Sequence, residues 1–187
     1  MNDVNDEIDI DDQLRLLRLA ARAFEARVRG TEDPDIETAN GLGLKRGAFV
    51  SIFRNGELRG CLGRLKSNLP LSRMVFQLAQ AVADSDPRFD KVTPEELAEI
   101  GFEISVLSRE REVASVEEIE VGRHGLVVEQ GAIRGLLLPQ VPADQGWDRD
   151  TFLDHTCLKA GLPADAWKRG ARILVFEAQV FGERTRG

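Results

Sequence analysis

A seven-residue pattern occurs twice in this chain. Gly56-Glu-Leu-Arg-Gly-Cys-Leu62 and Gly131-Ala-Ile-Arg-Gly-Leu-Leu137 both read Gly-x-Leu/Ile-Arg-Gly-x-Leu, at an offset of 75 residues, and each follows a run rich in β-branched residues. Phe102-Glu-Ile-Ser-Val106 returns as Phe176-Glu-Ala-Gln-Val180 at an offset of 74. Two matches at nearly one offset mark an internal duplication, and a duplication narrows the fold sharply, because whatever one copy builds the other must approximate. The pattern predicts an α+β chain of two diverged hairpin, helix, strand modules with antiparallel sheets, over about residues 41–110 and 121–183.

Local signals fill in the module. Leu14, Leu17, Ala21, Phe24 and Val28 recur at helical spacing, with Arg15, Arg18, Arg22 and Arg29 mostly around the other side, so residues from Asp11 to Gly30 form an amphipathic helix. Asn55-Gly56 between two apolar runs signals a type I′ hairpin, since both turn residues must accept positive φ. A two-residue turn there sets Phe53 opposite Leu58, Ser51 opposite Gly60 and Phe49 opposite Leu62, leaving Val50, Ile52, Arg59 and Cys61 on the other side. Asn68-Leu-Pro-Leu71 starts a second helix with core positions Leu71, Met74, Val75, Leu78 and Val82. Thr93-Pro-Glu-Glu96 is a capping box opening one or two helical turns, and Gly101–Leu107 is a strand. In the second half, Asp150–Ala160 is a helix closed by Gly161.

Charge and cysteine usage exclude several classes. The 187 residues hold 32 acids and 25 basic groups, a formal charge of -7, and that summed field opposes binding to duplex nucleic acid. Met1–Asp12 carries six acids with little apolar material, so residues 1–10 read as a mobile acidic lead. Two cysteines are too few for a disulfide framework, and no apolar stretch approaches the ~20 residues that cross a bilayer. A reducing, cytoplasmic setting without membrane contact is the expectation. No Cys-x₂-Cys pair, His-Glu-x-x-His, Gly-x-Gly-x-x-Gly or Walker loop occurs, so neither a metal nor a cofactor is implied.

The string that concentrates chemistry is Leu58-Arg-Gly-Cys-Leu-Gly63. Arg59 offers a fork of donors for a small anionic ligand, Gly60 and Gly63 admit close approach to the main chain, and Cys61 is a nucleophile if a neighbouring cation acidifies it. The structural alternative is that the glycines mark a bulge, Arg59 pairs with an acid such as Glu57, and Cys61 packs beside Val50. Arg88 in Asp86-Pro-Arg-Phe89 can face a ligand or belong to a structural turn with Phe89 in the core. Gln140 can bind a polar ligand or satisfy nearby backbone. Arg134, the repeat-mate of Arg59, can frame a groove or brace its own hairpin. His155 shares a helix face with Lys159 and is the candidate base for Cys61, whereas Cys157 lies on the apolar stripe with Leu153 and Ala160. His124, before Gly125, is a turn residue.

Leu-Arg-Gly-Cys-Leu-Gly63, Asp86-Pro-Arg-Phe89, Gly135-Leu-Leu-Leu-Pro-Gln-Val141 and the later Trp147-Asp, Phe152-Leu, Cys157-Leu-Lys-Ala-Gly-Leu162 and Trp167 together resemble the AMMECR domain family, over about Gly41 to Glu183. The resemblance implies a duplicated α+β fold whose halves exchange C-terminal strands, with no generally established activity. It also implies, by association, company with Memo-like proteins and radical S-adenosylmethionine enzymes in modifying a metabolite or RNA. Two functional readings follow: a cysteine-dependent site on an anionic small molecule, or a non-catalytic module binding a ligand or protein. A third, single-stranded RNA recognition, is opposed by 6% aromatics, no tyrosine and the net acidity.

Overall fold

The computed structural model describes residues 7–36 and 40–183. Two compact units result: the first takes in the chain up to Leu107 and again from Gln179, the second is Ser108–Ala178. The acidic lead falls outside the described residues up to position 6. Ile8 is buried in the first core, its N–H and C=O held by the Gln179 side chain at 2.7 and 2.9 Å.

In the first unit, helix α1 (Ile10–Arg29) starts where the Asp9 carboxylate accepts the Asp12 N–H and stops at Gly30, whose φ of 66° is cheap only for glycine. Its buried face is centred on Leu16, Ala20, Ala23 and Phe24, rotated by one residue, about 100°, from the stripe the periodicity suggested; Leu17, Ala21 and Val28 flank it half-buried, and Leu14 is exposed. Strands β1 (Ala48–Arg54) and β2 (Glu57–Arg64) meet at Asn55 and Gly56, with φ of 52° and 81°, as a type I′ turn demands. Helix α2 (Leu71–Val82) buries all five expected core positions, but Pro70 is the N-cap and Asn68 does not serve as one. Thr93 and Glu96 form the expected capping box, opening a 3-10 segment before β3 (Ile100–Leu107). The rings of Phe24 and Phe102 meet edge-on at 5.3 Å, joining α1 to β3.

The hairpin register departs from expectation after its first pair. Phe53 faces Leu58 as expected, but Ile52 faces Gly60, Ser51 faces Cys61 and Val50 faces Leu62, because Arg59 is an extra residue bulged out of β2. A one-residue slip reverses faces. Gly60 therefore turns to the core beneath Ile52 and Val82, while Cys61 leaves the Val50 side and stands beside Ser51.

The second unit repeats the plan with short β4 (Arg111–Glu112), β5 (Gly125–Gln130), β6 (Ile133–Leu137), helices α3 (Gln140–Gln145) and α4 (Arg149–Ala160), and β7 (Arg172–Phe176). Its own core holds Leu126, Val128, Phe152, Leu153, Cys157 and Ile173. The last strand, β8 (Ala178–Glu183), returns to the first sheet. The sheet orders are β2-β1-β3-β8 and β4-β7-β5-β6. The strand after β3 has thus gone to the second sheet and the strand after β7 to the first, which is the exchange the family resemblance implied. Gly182 permits β8 to lie against β3: its φ is 126°, and a Cβ there would collide with the Phe102 carbonyl.

The topology corrects the second repeat match. β7, not Phe176–Val180, holds the place of β3, since Ile173 and Val175 face Val128 and Leu126 as Phe102 and Ile104 face Ile52 and Val50. Phe176–Val180 instead straddles the break between β7 and the exchanged β8.

Candidate functional site at the edge of the first sheet

β2 is the edge strand of the first sheet. Opposite Ser51 it makes a pair in which the Cys61 N–H and C=O point away from β1, leaving one exposed peptide to be satisfied by something other than the ladder. The loop after α2 does this. The Asp86 carboxylate accepts the Cys61 N–H at 2.9 Å and the Arg88 guanidinium donates to the Cys61 carbonyl at 3.2 Å. Asp86 also accepts the Arg88 N–H at 3.1 Å and two guanidinium N–H groups at 3.0 and 2.7 Å. One buried carboxylate, 5% exposed, thus holds both the peptide of the cysteine and the cation beside it. Arg88 foremost, then the backbone N–H groups of Cys61 and Arg88, keep the Asp86 carboxyl well below the usual carboxylate range against the opposing effect of burial. Arg88 is in turn raised, first by its hydrogen bond to Asp86 and to a lesser degree by Cys61.

The thiol is half-buried and accepts a hydrogen bond from the Ser51 hydroxyl at 3.2 Å. Arg88 remains 56% exposed in its side chain, so part of its fork faces solvent next to the sulfur. Cys61, Ser51, Arg88 and Asp86 therefore form one cluster: a thiol, a hydroxyl, a cation and the carboxylate that holds the cation and the cysteine N–H.

Arg59, the cation expected beside Cys61, is used elsewhere. Its Nε and Nη2 grip Glu96 at 2.9 and 3.2 Å and its Nη1 donates to the Asp90 carbonyl at 2.9 Å. The partner is Glu96 rather than Glu57, and the same carboxylate caps Thr93 at 2.8 Å. Arg59, 17% exposed in its side chain, pins the bulge to the segment before β3. Gly60 and Gly63 are likewise filled from within, by Ile52 and Val82 and by the Phe49 ring.

The remaining candidates lie in the second unit. Arg134 braces its own hairpin, paired to Glu129 and Glu110. Gln140 is exposed at the start of α3, a short helix that carries no strong periodic signal, and Lys159 is exposed in the last turn of α4. His155 is exposed and stacks on Trp147 with ring centroids 4.0 Å apart and planes 6° from parallel. Cys157 is fully buried, and burial pushes its thiol upward, so it is a core residue. His124, in the turn before β5, is buried and its Nδ1 accepts the Glu120 N–H at 3.1 Å. Among the described residues no group of three or more His, Cys, Asp or Glu is placed to hold a metal, and no helix is long and apolar enough to cross a membrane.

Asp86 and Ser51 escaped the sequence reading. Asp86 stands in the Asp-Pro-Arg-Phe string two residues before Arg88, and an acid before proline at a helix break is the available signal. Ser51 carried none, because its pairing depends on the bulge.

The site and topology define a class: a duplicated α+β protein with exchanged strands and a thiol clamped at one sheet edge. Comparison gives that class a name. The AMMECR1 family model matches residues 17–181, and the chain belongs to that family. A protein of Thermofilum pendens is 44% identical over 91% of this chain and 89% of its own length. Protein MK0488 of Methanopyrus kandleri is 42% identical, covering 96% and 92%. Among solved structures, the uncharacterized protein PH0010 of Pyrococcus horikoshii superposes with a TM-score of 0.76 at 38% identity, over 91% of each chain.

Proposed function

We propose that the Cys61 edge is a thiol site for a small anionic molecule, with Cys61 as the reacting atom, Arg88 as anion anchor and Asp86 and Ser51 as positioning residues. The observation that carries this reading is the clamp itself. A buried carboxylate spends all its capacity on fixing one cysteine peptide and one arginine, and that arginine still presents donors to solvent beside the sulfur. In a reducing, cytoplasmic setting Cys61 stays a free thiol. Family association with Memo-like proteins and radical S-adenosylmethionine enzymes supports a role beside them in modifying a metabolite or RNA.

The test is alkylation of Cys61 by iodoacetate, an anionic reagent, in a Cys157→Ala background, with iodoacetamide as the neutral control. Arg88→Ala is expected to slow iodoacetate more than iodoacetamide, by about five- to tenfold. Equal slowing of both reagents, or protection of Cys61 until the chain unfolds, would overturn the proposal. The second outcome would favour the non-catalytic module, for which the commitment of Arg59 to Glu96 is the supporting observation.

A further inference from the structure

The first unit carries a second concentration of positive charge, away from the Cys61 edge. Arg15, Arg18 and Arg22 follow one another along α1 at intervals of three and four residues, so they form one stripe about 10 Å long on a helix of 1.5 Å rise. The stripe borders a groove of about 680 Å³, within the range of small-molecule sites, in which Leu19 and the buried Leu42 supply apolar surface. The three cations are barely used by the fold. Arg15 makes one long contact to Asp12 at 3.5 Å, and Arg18 returns its Nε to the Leu14 carbonyl at 3.1 Å. Arg22 takes part in no hydrogen bond or ion pair with the described residues. Glu25 and Asp35 also line the groove, leaving acceptors there for a donor on the ligand.

In a chain of formal charge -7, three closely spaced arginines, held only by one long ion pair and one bond to their own helix, stand over an apolar floor and outnumber the two acids that line the groove. We propose that this groove binds a small organic phosphate, its anionic head on Arg15, Arg18 and Arg22 and its apolar body on Leu19 and Leu42. Guanidinium forks suit phosphate oxygens in pairs, and the floor distinguishes an organic phosphate from the free ion.

Calorimetric titration of the full chain with methyl phosphate and with octyl phosphate, below its micelle concentration, tests this. Octyl phosphate is expected to bind at least tenfold more tightly than methyl phosphate, and Arg18→Ala and Arg22→Ala each to weaken it about fivefold. Both changes place a good helix former on an exposed helix face, so folding is retained. Leu19→Asn is expected to erase the advantage of the octyl chain. Equal affinity for the two phosphates, no effect of the arginine substitutions, or no binding at millimolar concentration would overturn the proposal. Cys61→Ala leaves the binding unchanged, which separates this groove from the thiol site.

Discussion

The two hairpins descend from one pattern and have been put to different uses. In the second, Gly131 alone takes positive φ, strands β5 and β6 pair without a bulge, and Leu136 sits opposite Val127. In the first, one added residue, Arg59, bulges from β2, and the position corresponding to Leu136 is Cys61, opposite Ser51. The arginines differ in the same sense. Arg134 joins a ladder running across the sheet, Arg134 to Glu129 to Arg172 to Glu112, one residue from each of β6, β5, β7 and the exchanged β4. Arg59 leaves the sheet and grips a buried Glu96. The comparison teaches that a duplicated arginine need not keep its job. A one-residue insertion moved it out of the ladder, while the residues after it keep matching places, Gly60 with Gly135 on the core side and Cys61 with Leu136 on the other.

Four experiments bear on that contrast. The largest effect is expected from removing the acid that each arginine meets. Glu96→Ala strips a nearly buried carboxylate from Arg59, Arg54 and the Thr93 cap, and should cost about 3 kcal/mol in denaturant unfolding. Glu129→Ala, in the more exposed ladder, should cost about 1 kcal/mol. Comparable losses would show that the two arginines are equivalent after all.

Next comes the clamp that only the first hairpin has. Asp86→Asn should lose about 2 kcal/mol at neutral pH by weakening the hold on Cys61 and Arg88. Because the folded carboxyl is held below its unfolded value near ~3.9, its stabilisation is complete above that pH and is lost as pH falls through the folded value. The variant should therefore lose less stability on acidification than the native chain, a difference read from unfolding curves at a series of acidic pH values. Parallel pH dependence of the two proteins would rule the clamp out as a source of acid sensitivity.

A smaller and more pointed effect is kinetic. Leu136→Cys, made together with Cys61→Ala and Cys157→Ala, puts a thiol at the matching place in the second hairpin. Its alkylation by iodoacetate should not respond to Arg88→Ala, whereas that of Cys61 should. An equal response at both positions would mean that Arg88 acts through general charge and not through the clamp.

The smallest effect concerns the ladder. Raising salt to about 1 M should reduce protection of β5 and β7 amides against hydrogen exchange by less than about 1 kcal/mol, because the pairs are partly exposed and so partly screened. The amides of β2 around the Arg59 brace should change less still. The reverse ranking would place the stronger electrostatic dependence in the first hairpin.

Much of the fold was legible because it depends on neighbours in the chain. Asn55-Gly56 announced a turn by the φ values it tolerates, Thr93 to Glu96 announced a cap by its spacing, and α2 announced its buried face by the 3.6-residue period. The α1 stripe differs from the packed face by one residue of rotation because the helix is rich in alanine and leucine on more than one side, so that periodicity alone does not pick the packed face. The site was half legible. Arg59, Cys61 and Arg88 were picked out, but with the wrong cation next to the thiol.

By itself, then, the sequence determined α1, α2 and α4, the Asn55-Gly56 turn, the Thr93 cap and the duplication, all set by interactions within a few residues or by the repetition of a pattern. Only the tertiary structure decided that Arg59 bulges, that its acid is Glu96, 37 residues away, and that the Cys61 peptide belongs to Asp86, 25 residues away. It also decided that Ile8 meets the side chain of Gln179, 171 residues on, in β8, the strand that completes the first sheet. The physical reason is common to all of these: an unpaired edge and a buried charge must find partners, and which partner is nearest is a property of the folded chain, not of the local sequence.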